Sequence, residues 1–176
     1  MELKKYYEEI QRTMIDLSYD ANIIHMQRGM ITELAELIDV LKRKDAYNKP
    51  IDVVNIIEEL GDFMWYFGNY VNVTKSQPPF ESFWIPKDSC FKNKLNENIN
   101  NLLISISCLH TSDIFKYFCT VSSIFMEQYN FTFQQVLDAN IAKLRKRYPN
   151  GFSQHDAINR NVGEEKLTLD NYVYNI

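Results

Sequence analysis

The sequence predicts an all-α protein. Glycine is scarce, with 5 in 176 residues, and apolar residues recur at offsets of three and four through long segments, the period of a helix with one buried face. The first helix is expected from about Glu2 to Leu17, where Leu3, Tyr6, Tyr7, Ile10, Met14 and Leu17 form one stripe. The second runs from about Asp20 to Lys44. Ile23, Ile24, Ile31, Leu34, Leu37, Ile38 and Leu41 supply its buried side, and Lys42, Arg43 and Lys44 suit its C-terminal dipole. Asn48 and Pro50 then turn the chain, and Asp52 caps a third helix reaching about Val71.

Between Asn72 and Lys94 the period is lost among Pro78, Pro79, Pro86 and several aromatic residues, which reads as a long loop suited to a lid. Two helices follow, about Leu95 to Leu109 and Ser112 to Tyr129, as a hairpin with Ser112 or Asp113 as N-cap. The last long helix starts after Asn130, with Thr132 as its cap, and stops at Pro149 and Gly151. Beyond Phe152 the tail is polar. The expected organisation is a single catalytic domain of about five to six helices over 1–155, with 72–129 as an insertion and 156–176 as a C-terminal extension.

At 45% hydrophobic and 14% aromatic residues the chain has ample material for a core. Its net charge of -4 argues against a binder of nucleic-acid polymers or membranes, which usually present a basic surface to phosphate. Cys90, Cys108 and Cys119 are widely spaced and lack a metal-binding pattern, so they read as reduced structural residues. The opening MELKKYYEEI carries no signal-peptide apolar stretch, and the run from Leu102 to Leu109 is too short to span a bilayer. A soluble, cytoplasmic protein is expected.

The chemistry concentrates in carboxylates. Glu33 and Glu36 lie three apart on the second helix, so their side chains point within about 60° of one another. Glu59 and Asp62 repeat that spacing on the third helix, and the short turn between the helices makes them antiparallel neighbours. Acidic pairs at this spacing are also common on solvated faces. Here, however, Met30, Ile31, Leu34, Leu37, Leu60, Phe63, Met64 and Trp65 are interleaved with them, and partly buried acids require a partner. Oxygen-only ligands suit a hard divalent cation such as magnesium.

The stretch GMITELAELIDVLKRKDAYNKPIDVVNIIEELGDFMWY resembles the signature of MazG-like, all-α nucleoside triphosphate pyrophosphatases, particularly small phage-type members. The matching features are an ExxE pair, a YxKP-type turn, and EELGD followed by WY. The resemblance implies that Glu33, Glu36, Glu59 and Asp62 bind Mg2+, with Mn2+ as a substitute, and that Glu58 acts behind them. Ala35 departs from the family's frequent glycine before the second glutamate. The segment NIAKLRKRYPNGFS resembles the family's second block, which implies that Lys143, Arg147 and Tyr148, with Asn140 one turn earlier, hold the triphosphate. Arg145 and Lys146 lie off that stripe, and INRN with Arg160 resembles the family's C-terminal extension. Without the resemblance, a basic helix end is equally a response to the helix dipole.

His25, with Asn22 on its face, is a base-contact candidate as well as a packing residue. Trp65 is a core residue by pattern, and its face could stack on a nucleobase. No GxxxxGK loop, HExxH or GxSxG motif is present, which excludes P-loop chemistry on motif grounds. The resemblance therefore implies hydrolysis of a (deoxy)nucleoside triphosphate between the α and β phosphates, with Glu36 or Glu59 as proton acceptor, in a homo-oligomer. The alternatives are an all-α dUTPase- or dCTPase-like enzyme with narrow base choice, and a non-catalytic helical nucleotide-binding module.

Overall fold

The computed structural model describes residues 3–76 and 94–174. These residues are helical throughout their regular structure, with no strand among them. The elements are α1 (Leu3–Gln11), α2 (Tyr19–Tyr47), α3 (Val53–Thr74), α4 (Leu95–Ser107), α5 (Thr111–Tyr129), α6 (Phe133–Arg147), α7 (Gln154–Ile158) and α8 (Val162–Tyr174). The expected all-α class holds. Most of the proline-rich stretch read as a loop, residues 77–93 with Cys90, lies outside the described residues. No helix among the described residues is long and apolar enough to cross a membrane.

Local chemistry places most helix ends. Ser18 Oγ accepts from Ala21 N at the start of α2, and Asn48 closes that helix in the left-handed region at φ 49°. Asp52 caps α3 as expected, accepting from Asn55 N at 3.1 Å. Thr132 and Gln135 form a reciprocal capping box on α6. The cap expected from Ser112 or Asp113 is absent: α5 begins at Thr111 behind His110, with no side-chain cap. Leu109 there adopts φ 54°, so the chain reverses one residue earlier than the polar residues suggest.

The two ends of the chain differ from the sequence expectation. α1 stops at Gln11, six residues before Leu17, because Arg12 is held by the distant end of α6: its carbonyl accepts from Phe152 N, and its Nη1 donates to the Tyr148 carbonyl at 2.7 Å. Thr13 Oγ1, donating to the Ile10 carbonyl, further diverts the backbone from the helical ladder. The tail, read only as polar, contains α7 and α8. Helix α8 is polar around most of its surface, and it packs on α6 through Leu169 and the buried Glu165.

One apolar core joins α1 to α6 and reaches α8 through Leu169. Its aromatic layer is well defined, with Phe63 stacked on Phe118 at 4.6 Å and Phe67 on Phe115 at 5.6 Å. On α2 the buried stripe is rotated from the expected one. Met26, Met30 and Val40 join Leu34 and Leu37 inside, whereas Ile24 and Ile38 are exposed.

The most extensive helix pair is α2 with α3. It is antiparallel, since Gly29 meets Tyr66 while Glu33, later in the chain, meets the earlier Glu59 and Asp62. Glycine is required at the first of these crossings, because a Cβ on residue 29 would lie 2.2 Å from the Tyr66 ring. Gly29→Ala is therefore expected to destabilise the fold by about 1–3 kcal/mol through overpacking, measured by chemical denaturation.

Candidate metal centre and binding cavity

Three of the four paired acids converge where α2 and α3 pack together, and the fourth, Glu36, stands outside them. Glu33, Glu59 and Asp62 each bring one carboxylate oxygen to within 4.8 Å of the others. Glu36 is exposed and lines the same cavity, outside this closest triad. Glu58 also lines the cavity, and Asn55, one turn before Glu59, donates its amide to Glu59 Oε1 at 2.9 Å. Thr32 Oγ1 donates to Glu33 Oε1 at 3.2 Å.

Crowding these groups in a half-closed site makes their ionisation costly. Burial first, and then the Asp62 charge, push the Glu33 carboxyl up to about 7 and that of Glu59 up to about 9. Glu59 is only 5% exposed, which explains why water cannot relieve it. At neutral pH the triad therefore retains a proton between its members, with Glu33 and Glu59 hydrogen-bonded to each other. A divalent cation would replace that proton, and three hard oxygen donors at this separation fit such an ion.

Helix α6 supplies the support beneath the triad. Lys143 is 0% exposed and donates to Asp62 Oδ2 at 2.5 Å and Glu58 Oε1 at 3.1 Å. Burial opposes its charge, but the facing carboxylates of Asp62 and Glu58 outweigh it and hold the ammonium above its usual range. Asn140 donates to Asp62 Oδ1 at 2.8 Å and accepts from the Tyr6 hydroxyl at 2.7 Å. Both Asp62 oxygens are thus oriented by α6. Lys143 and Asn140, expected to face phosphate, do not line the cavity; they lie behind the carboxylates, as counter-charge and positioning group.

The cavity in front of the triad has a volume of about 570 Å³. Arg147 and Tyr148, the other two residues expected at phosphate, do line it. So does Arg160, from the segment between α7 and α8. Arg145 and Lys146 instead form exposed ion pairs with Glu9 and Glu164. His25, Trp65 and Tyr66 form an aromatic wall, with the His25 ring edge-on to Tyr66 at 5.6 Å and to Trp65 at 6.4 Å. Burial lowers the His25 pKa, so the ring is neutral at physiological pH. Trp65 is fixed by donating from Nε1 to Thr13 Oγ1 at 2.8 Å. Asn22 does not line this cavity: it is 5% exposed and its amide donates to the Leu17 carbonyl at the start of α2.

Sequence reasoning missed Asn55, Tyr66, Thr13 and Phe152 as cavity residues. Asn55 and Tyr66 each sit one helical turn from a recognised carboxylate, a signal available from spacing alone. Thr13 and Phe152 come from irregular segments brought together by the Arg12–Tyr148 and Phe152–Arg12 bonds, and nothing local announces them. No protein-family model, curated protein or solved structure matches this chain.

Proposed function

We propose that the chain is a magnesium-dependent nucleoside triphosphate pyrophosphohydrolase of the MazG-like, all-α type, cleaving between the α and β phosphates. The observation that carries this reading is a single cavity lined both by the Glu33, Glu59 and Asp62 triad and by Arg147 and Arg160, beside an aromatic wall. Carboxylates and guanidiniums lining the same cavity suit a ligand that is itself anionic and brings a cation with it. The aromatic wall of His25, Trp65 and Tyr66 suits a nucleobase.

Glu33, Glu59 and Asp62 are the residues that would hold Mg2+, with Mn2+ as a substitute. Bound there, the ion would neutralise phosphate charge and polarise a phosphoryl oxygen. Lys143 and Asn140 hold the Asp62 carboxylate in place, each through one of its oxygens. Glu36, outside the triad and in the cavity, accepts the proton of the attacking water. Arg147 stabilises charge on the departing pyrophosphate. The substrate is a nucleoside or deoxynucleoside triphosphate, and the enzyme works as a cytoplasmic homo-oligomer.

Metal removal tests this reading. Calorimetric titration of Mg2+ into chelator-treated protein is expected to show binding that strengthens from pH 6 to pH 9, as Glu33 and Glu59 give up their protons. Turnover of triphosphates should fall to background in EDTA and return with Mg2+ or Mn2+. Turnover unaffected by EDTA would exclude the metal role.

A further inference from the structure

An anionic ligand entering a cavity lined by Glu33, Glu36, Glu58, Glu59 and Asp62 needs positive charge within its reach. Lys143 cannot supply it, because its ammonium is buried and committed to Asp62 and Glu58. Among the lining residues the permanent cations are Arg147 and Arg160, and one carboxylate holds both. Glu165 of α8 accepts from Arg147 Nε at 2.9 Å and from Arg147 Nη2 at 2.5 Å, and its Oε2 also accepts from Arg160 Nη2 at 3.0 Å.

We propose that Arg160 is a second phosphate-binding residue, and that Glu165 positions it together with Arg147 as a two-guanidinium clamp for the β and γ phosphates. This deepens, and rests on, the triphosphate reading of the cavity. The Glu165 side chain is 4% exposed, and α8 is anchored beside it by Leu169, 1% exposed. A carboxylate buried in that way has a fixed place, and the bidentate fork fixes the plane of Arg147 with it. Burial of Glu165 opposes its charge, yet its hydrogen bond and ion pair with Arg147 hold its pKa below the usual value, so the clamp stays assembled at neutral pH.

Glu165 engages one edge of Arg147 and a single Nη of Arg160, and each guanidinium keeps further N–H donors for phosphate oxygens. The two arginines differ in freedom. Arg147 is 16% exposed at its side chain and Arg160 is 42% exposed, so Arg160 is the member able to follow an incoming ligand. Helix α8, the least expected element of the fold, thereby acquires a function: it completes the phosphate end of the site.

The test is calorimetric titration of inorganic pyrophosphate, with and without Mg2+, into the wild-type protein, Arg160→Ala, Glu165→Asp and the double variant. Glu165→Asp keeps the charge and withdraws the carboxylate, which separates positioning from electrostatics. Each single variant is expected to weaken pyrophosphate binding about tenfold, and the double variant little further, since both act on one clamp. Mg2+ affinity should be unchanged in all three, as it would not be if the substitutions loosened the whole fold. Arg160→Lys, which retains charge without the fork, serves if Arg160→Ala misfolds, and should still lose severalfold.

Wild-type protein that does not bind pyrophosphate, or Arg160 variants that bind as wild type, would overturn the proposal. So would tighter binding by Glu165→Asp, which would make Glu165 a competitor of phosphate. Clamp-dependent pyrophosphate binding without any triphosphate turnover would instead sink the enzymatic reading and leave the clamp standing. Turnover indifferent to Arg160 would do the reverse.

Discussion

Lys143→Met is expected to lower the unfolding free energy of the metal-free protein by about 3–5 kcal/mol, because it leaves two carboxylates beside a buried, uncompensated site. The ammonium is 0% exposed and lies between Asp62 Oδ2 and Glu58 Oε1. Methionine fills the same space, so the loss reports the charge rather than a cavity. At about 2–4 °C per kcal/mol for a chain of this size, thermal unfolding should fall by roughly 6–20 °C. Saturating Mg2+ should return part of the loss, since the cation replaces some of the missing positive charge. A shift of less than about 1 kcal/mol would mean that Lys143 is not the counter-charge of the acidic cluster. The variant also separates two roles for this residue: a pure phosphate ligand would lose substrate affinity while the fold stayed as stable as before.

The second large effect concerns Glu59, the most buried member of the triad at 5% exposure. Glu59→Gln removes the charge of a proposed metal ligand at nearly constant shape, and triphosphate turnover should drop a hundredfold or more, on the order of losses from disturbed metal sites. Its effect on stability should have the opposite sign. The carboxyl is raised from 4.5 to about 9 by burial and the Asp62 charge, so the folded state binds this proton more tightly than the unfolded chain. The corresponding stability is fully present below about pH 4.5 and is lost as pH rises through 9. Metal-free wild-type protein should therefore melt at progressively lower temperature from pH 5 to pH 9. Glu59→Gln should flatten that fall, and melting scans in EDTA across this range measure it. A wild-type melting temperature that climbs over the same interval would contradict the buried-carboxyl account.

The helices and the acidic pairs were legible because each depends on neighbours within one turn or two. Asp52, Asn48 and Thr132 mark ends by their own hydrogen bonds, and Glu33, Glu59 and Asp62 meet because two periodic helices are joined by a tight turn. The burial of Lys143 was not legible, for a physical reason. A lysine near the basic end of a helix looks solvated, and only the packing of α6 on α3 buries its ammonium behind Asp62. The early end of α1 and the existence of α8 depend likewise on distant partners. Arg12 bonds the end of α6, and Glu165 finds Arg147 eighteen residues away in sequence. Chain-local patterns carry none of that information.

Metal-assisted cleavage at the first anhydride of a triphosphate, as proposed, is decided by the identity of the products. Each common ribo- and deoxyribonucleoside triphosphate would be incubated with the protein and Mg2+, and the phosphorus products followed by 31P NMR. The expected result is nucleoside monophosphate and pyrophosphate in equal amounts. A single base dominating the panel would select the narrow dUTPase- or dCTPase-like version of the reading. Orthophosphate with a nucleoside diphosphate, or binding with no product from any triphosphate, would contradict it.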